Sequence, residues 1–205
     1  YKDVAKIATG EGKGPILATW LRIDPDNVLT VIVPHSEMGQ GVHTALPMMA
    51  AEELDADWNL VRMEQAPATP EFANQPMGEG FITHGIKFPD FLAGTVDLAF
   101  YQAAKALNLQ VTGGSTSVRF TGHYGMRVAG AGLREMLMKA AAKRWNVSVD
   151  QLIARDSHIL HEASGRSATF GELANEASAY TPSPTPKLKD PKDYKIVGKS
   201  IPRYD

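Results

Sequence analysis

The stretch P-H-S-E-M-G-Q-G-V-H-T, Pro34 to Thr44, decides how the chain is read: an apolar run ends there, two glycines flank one carboxamide, and a helical pattern begins. Gly39 and Gly41 permit positive φ and close approach of backbone N–H groups to another molecule, while Gln40 offers both a donor and an acceptor. The following H-T-A-L-P-M-M-A-A-E-E-L reads as a helix whose unpaired first amides face the same spot, a small cradle for an anion or polar ligand. A glycine connector with no ligand is the plainer alternative.

Upstream of this turn, two β-rich runs, Ile16 to Ile23 and Val28 to Val33, flank D-P-D-N, whose proline and Asx chemistry predicts a tight hairpin. Residues 1–14 are polar and glycine-spaced and read as an irregular leading segment. Downstream, apolar spacing predicts a helix over Val42 to Leu54, with Pro47 tolerated only in its first turn. A short strand follows at Leu60 to Met63. Residues 66–88 are rich in proline and glycine and read as a long loop of the functional or mobile kind. Helical spacing resumes from Phe91 to Leu107.

A second turn repeats the grammar of the first. After the β-like Leu109 to Val111 comes T-G-G-S-T-S, Thr112 to Ser117, and then a strong helical pattern from about Tyr124 to Trp145. Gly130 and Gly132 lower helix propensity there and imply close packing or ligand approach. Ser148 to Gln151 carries an N-cap signal, Ile153 to Ile159 and His161 to Ser167 suggest a hairpin turning near S-G-R, and Phe170 to Ala177 reads as an amphipathic helix. The proline- and lysine-rich run 181–205 reads as an extended connector toward a following domain. The fold class is α+β, with small mixed or antiparallel sheets and hairpins packed with helices.

With 205 residues, 43% hydrophobic, the chain can bury a real core; its net charge of -2 shows no electrostatic footprint for nucleic acid, and no apolar run is long enough to span a bilayer. Cysteine is absent, which removes disulfides and thiolate ligands.

Two turns of glycines and small hydrogen-bonding residues can wrap a rigid polar cofactor, making Gly39, Gln40, Gly41, Gly113, Gly114, Ser115 and Ser117 the candidate binding residues. Neither turn is a dinucleotide fingerprint or a P-loop: Thr44 stands where a third glycine is needed, and no G-K-[ST] follows. His35 and His43 bracket the first turn without a carboxylate–histidine set, so local hydrogen bonding is expected rather than metal ligation. His158 and His161, three apart on a strand, point to opposite faces and read as surface residues. Ser36, Ser115 and Ser117 lack a nucleophile elbow, and Glu37 reads as a group that caps amides rather than a base. No catalytic residue and no metal ligand is assigned.

The segments S-E-M-G-Q-G-V-H-T and T-G-G-S-T-S-V-R-F resemble the molybdopterin-contacting segments of the xanthine dehydrogenase and aldehyde oxidase superfamily. M-R-V-A-G-A-G-L-R-E-M-L, S-G-R-S-A-T-F-G-E-L-A and the run from Pro186 to Asp205 extend the resemblance to the N-terminal portion of the large, isoquinoline 1-oxidoreductase type β subunit. The resemblance implies a partial molybdopterin-binding domain over residues 15–180 in a molybdenum hydroxylase that oxidises an aldehyde or N-heteroaromatic substrate with water-derived oxygen. It implies molybdopterin cytosine dinucleotide as cofactor, with molybdenum held by the pterin dithiolene, and [2Fe-2S] clusters on a small partner subunit. Gly39, Gln40 and Gly41 then contact the pterin, and Gly113, Gly114, Ser115 and Ser117 hydrogen-bond the same cofactor. The glutamate that activates the metal-bound hydroxide in such enzymes lies in later sequence, so the chain alone is expected to be inactive and to need the remainder of the large subunit. A non-catalytic scaffold retaining the fold is the alternative, and location in bacterial cytoplasm or periplasm is left open.

Overall fold

Strand β3, Leu29–Val33, is apolar or β-branched at every position and buried along its whole length, the pattern of a strand covered on both faces. It pairs antiparallel with β2, Leu21–Ile23, and parallel with β4, Val61–Gln65. β1, Ile16–Ala18, folds antiparallel onto β2, giving a mixed sheet in the order β1-β2-β3-β4. The continuous strand expected over Ile16 to Ile23 is therefore two strands turned back on each other. D-P-D-N makes the expected hairpin: Asp24 N–H donates to Val28 O at 2.9 Å and Asn27 N–H to Asp24 O at 2.9 Å, with Asn27 at φ 71°.

The computed structural model describes residues 16–18, 20–74, 79–80, 82–84, 86, 88–109, 111–183 and 185–204. The leading segment 1–14 lies outside the described residues, as does part of the 66–88 loop. Helix α1, Val42–Leu54, has the bounds expected from its apolar spacing, but Pro47 stands inside it rather than in the first turn. Helix α2 is Asp90–Ala106. Leu109 forms no strand; its N–H caps α2 by donating to Ala104 O at 2.9 Å.

Helix α3 starts at the second turn, well before Tyr124. It runs without a break through Gly114–Ser117, a π-helical stretch Val118–Met126, and Arg127–Trp145. It lies against α1, and Gly130 shows why a glycine is needed: a Cβ there would stand 2.4 Å from Ala50 O. Close packing, not a ligand, accounts for that residue.

A second sheet, β5 (Ile153–Arg155), β6 (His158–His161) and β7 (Arg166–Thr169), is an antiparallel meander. Asp156 and Ser157, at φ 48° and 60°, break the run expected to continue to Ile159. Helix α4, Phe170–Ala177, opens on a capping box between Thr169 and Glu172. His161 is not a surface residue: it is 5% exposed, with Nδ1 2.6 Å from Ser164 Oγ. Leu21, Val31, Leu46, Leu133, Ile159 and Leu173 belong to one core reached by both sheets and by α1, α3 and α4.

The proline- and lysine-rich run packs back over the C-terminal end of α1. Glu52 Oε2 accepts the N–H groups of Lys195, Ile196 and Val197 at 2.9, 2.6 and 3.0 Å. Lys189 Nζ lies 2.8 Å from Glu52 Oε1 and 2.7 Å from Asp55 Oδ1. The adjacent Glu53 takes Arg127 at 2.7 Å and the Lys189 N–H at 2.8 Å. Both glutamates are buried.

Candidate functional site: two glycine turns joined side by side

Gly39 and Gly41 adopt φ of 94° and 77°, the left-handed region that glycine enters without penalty. Their amides converge on a group inside the turn. Glu37 Oε1 accepts from Gly39 N–H at 2.9 Å and Gly41 N–H at 2.8 Å, and Oε2 from His43 N–H at 3.0 Å. The amides expected to face an external ligand instead end on a side chain of the chain itself, which takes the capping role expected of Glu37.

Gln40 spans the two turns. Its Nε2 donates to Ser36 O at 2.8 Å and to Thr112 Oγ1 at 3.1 Å, and Oε1 accepts from Met38 N–H at 2.6 Å. Thr112 returns a bond from its hydroxyl to Ser36 O at 3.0 Å. Residues 72 apart in sequence are held in one polar patch.

His35 carries the second connection. Nδ1 lies 2.8 Å from Val111 O, which can only accept, so that nitrogen bears the proton and Nε2, 2.8 Å from Thr121 Oγ1, accepts from the hydroxyl. Burial, helped by the neighbouring His43 and opposed by the Val111 bond, lowers its pKa to about 4, so the ring is neutral at pH 7. His43 Nε2 donates to His35 O at 3.0 Å and Gln65 Oε1 at 2.9 Å. Both histidines make hydrogen bonds, as expected, but those of His35 are long-range in sequence rather than local. Among the described residues no group of three or more His, Cys, Asp or Glu could hold a metal ion.

In the second turn, Ser117 is fully buried and closes on Gly113, accepting from its N–H at 2.9 Å and donating to its O at 2.6 Å. Gly114 and Ser115 are exposed. They open α3, where helix geometry leaves the first N–H groups without intrahelical acceptors. Space beside Gly114 is open, nothing lying within 4 Å of where a Cβ would stand, and the same holds for Gly39. Amides, a hydroxyl and open room form a donor set that fits a polar, anionic cofactor. Arg203 had no local signal: its Nη2 comes from the far end of the chain to 3.7 Å from Glu37 Oε1.

Residues 4–78 match the family model of the molybdopterin cofactor-binding domain. The β subunit of isoquinoline 1-oxidoreductase from Brevundimonas diminuta is 37% identical over 167 residues, covering 82% of this chain and 17% of that protein. The chain thus aligns with molybdopterin-binding homologues of the xanthine oxidase superfamily. A membrane-bound aldehyde dehydrogenase (pyrroloquinoline-quinone) from Gluconacetobacter polyoxogenes is 27% identical over 184 residues, covering 87% of this chain and 19% of that protein. Quinoline 2-oxidoreductase from Pseudomonas putida 86 superposes with a TM-score of 0.48 at 16% identity over 80% of this chain and 17% of that one. The chain spans less than a fifth of the length of these curated relatives. Among the described residues no helix is long and apolar enough to cross a membrane.

Proposed function

We propose that this chain supplies two turns of the surface that holds molybdopterin cytosine dinucleotide in a molybdenum hydroxylase acting on an aldehyde or an N-heteroaromatic compound. The observation that carries the reading is the Gln40–Thr112 bond, which makes one patch of two glycine turns. Gly114, Ser115 and the first amides of α3 donate to the cofactor, and Gly39 and Gly41 form its floor beside Gln40, which keeps one Oε1 lone pair. Gly113 and Ser117 hold the second turn in shape beneath it. When bound, the cofactor supplies two-electron oxidation of the substrate carbon with oxygen from water. The chain's own groups bind and orient it; the proton-transferring carboxylate comes from the remainder of the large subunit, and electrons leave to [2Fe-2S] clusters on a small partner subunit.

Gly114 offers a clean test. A Cβ there meets no atom within 4 Å and Gly114 is exposed, so Gly114→Leu in the full-length protein keeps the wild-type melting temperature while molybdenum and pterin content fall at least fivefold. Full occupancy in that variant overturns the assignment. One observation favours a second reading, a scaffold without cofactor: Glu37 already closes the first turn. That reading requires that no pterin be recovered from the wild-type protein.

A further inference from the structure

Glu37 occupies the place in the first turn that an external anion would otherwise take. Three amides from residues 39, 41 and 43 end on its two oxygens at 2.9, 2.8 and 3.0 Å. Its side chain is 13% exposed, and the Arg203 guanidinium lies 3.7 Å from Oε1. Two of the three amides belong to glycines at positive φ, positions with the largest conformational freedom to lose. A carboxylate that accepts several backbone N–H groups is the strong, charge-assisted way to hold such a loop.

We propose that Glu37 is a positioning residue for the cofactor surface: its carboxylate serves as the turn's built-in anion and fixes Gly39 and Gly41, so that Gln40 is aimed at Thr112. Loss of the carboxylate frees three amides at the start of α1 and lets the G-Q-G backbone leave the left-handed region. The Gln40 carboxamide then loses its fixed distance to Thr112, while the His35 and Thr112–Ser36 bonds still hold the two turns together. A carboxamide at position 37 keeps two of the three bonds. Its oxygen keeps the paired bonds to Gly39 and Gly41, while its NH2 group faces the N–H of His43.

Only the last step, from turn geometry to cofactor, rests on the function proposed above. The test is hydrogen exchange resolved to single amides over residues 36–44 of the full-length protein, together with molybdenum content. In Glu37→Ala, exchange at Gly39, Gly41 and His43 accelerates at least tenfold, added formate slows it again by filling the nest, and molybdenum content drops in parallel. In Glu37→Gln, only His43 accelerates, which decides the matter even if the alanine variant does not fold. Wild-type exchange at all three amides in both variants overturns the proposal, as does acceleration in Glu37→Ala that formate leaves untouched. Faster exchange with full molybdenum content overturns its last step. A wild-type protein without molybdenum refutes the cofactor reading instead, and the exchange measurements still judge Glu37.

Discussion

His35 shows how one buried polar side chain sets the spacing of two loops. It is 2% exposed, and both ring nitrogens are committed, to Val111 O and Thr121 Oγ1. Burial is the main reason its pKa falls from 6.5 to about 4. The unfolded chain takes up this proton first as pH drops, so the contribution is complete above pH 6.5, declines between pH 6.5 and 4, and is gone below. At 1.36 kcal/mol per pKa unit the decline is about 3 kcal/mol. Urea unfolding followed from pH 7 to 4 shows this slope in the native protein and not in His35→Asn, although the variant is less stable at pH 7. An unchanged slope in the variant assigns the pH dependence elsewhere. The sequence already marked His35 as a hydrogen-bonding residue. Its partners, 76 and 86 residues away, had no local trace.

Among the elements, α1 and α3 form the packed pair from which the turns project. The first turn leads into α1 and the second opens α3, so their separation is set by how closely the helices approach. Gly130 is the contact point, since a Cβ there would lie 2.4 Å from the Ala50 carbonyl oxygen. That neighbour is backbone and cannot rotate away. Gly130→Ala costs about 1–3 kcal/mol by forcing the helices apart, outweighing the gain of roughly 1 kcal/mol in helix propensity. Gly114→Ala at the head of the same helix, with open space around it, is neutral or stabilising. Chemical denaturation of the two variants side by side checks the contrast. The bounds of α1 and α4 were readable because apolar spacing and capping are local properties. The start of α3 was not: S-T-S-V-R-F-T-G-H is polar, β-branched and glycine-containing, and it enters the helix as a π-helical stretch whose irregular period hides the pattern.

For the whole molecule, the C-terminal run acts as a strap over the end of α1. Burial pushes the Glu52 carboxyl up, but Lys189 and the amides of Ile196 and Val197 outweigh it and hold the pKa below its ordinary 4.5. Glu52 therefore stabilises the fold fully above that value and loses its effect as pH falls through the lowered one. Glu52→Gln leaves Lys189 beside one fewer buried charge and costs on the order of 3–5 kcal/mol. Limited proteolysis checks it: cleavage within 187–198 speeds up in the variant while α3 stays protected.

Local chemistry by itself determined that the chain is an α+β protein and that two glycine turns each lead into a helix; the family likeness came from resemblance of whole segments. Backbone freedom, side-chain donors and apolar period act over a few residues and leave a direct imprint on sequence. Only the tertiary structure decided that the turns touch through Gln40 and Thr112, that Glu37 fills the first of them, and that the adjacent Glu52 and Glu53 are buried under a distant strap. Those outcomes depend on which apolar faces are buried together. Contacts between residues more than 70 positions apart form only when the common core has offset the entropy of closing so long a loop.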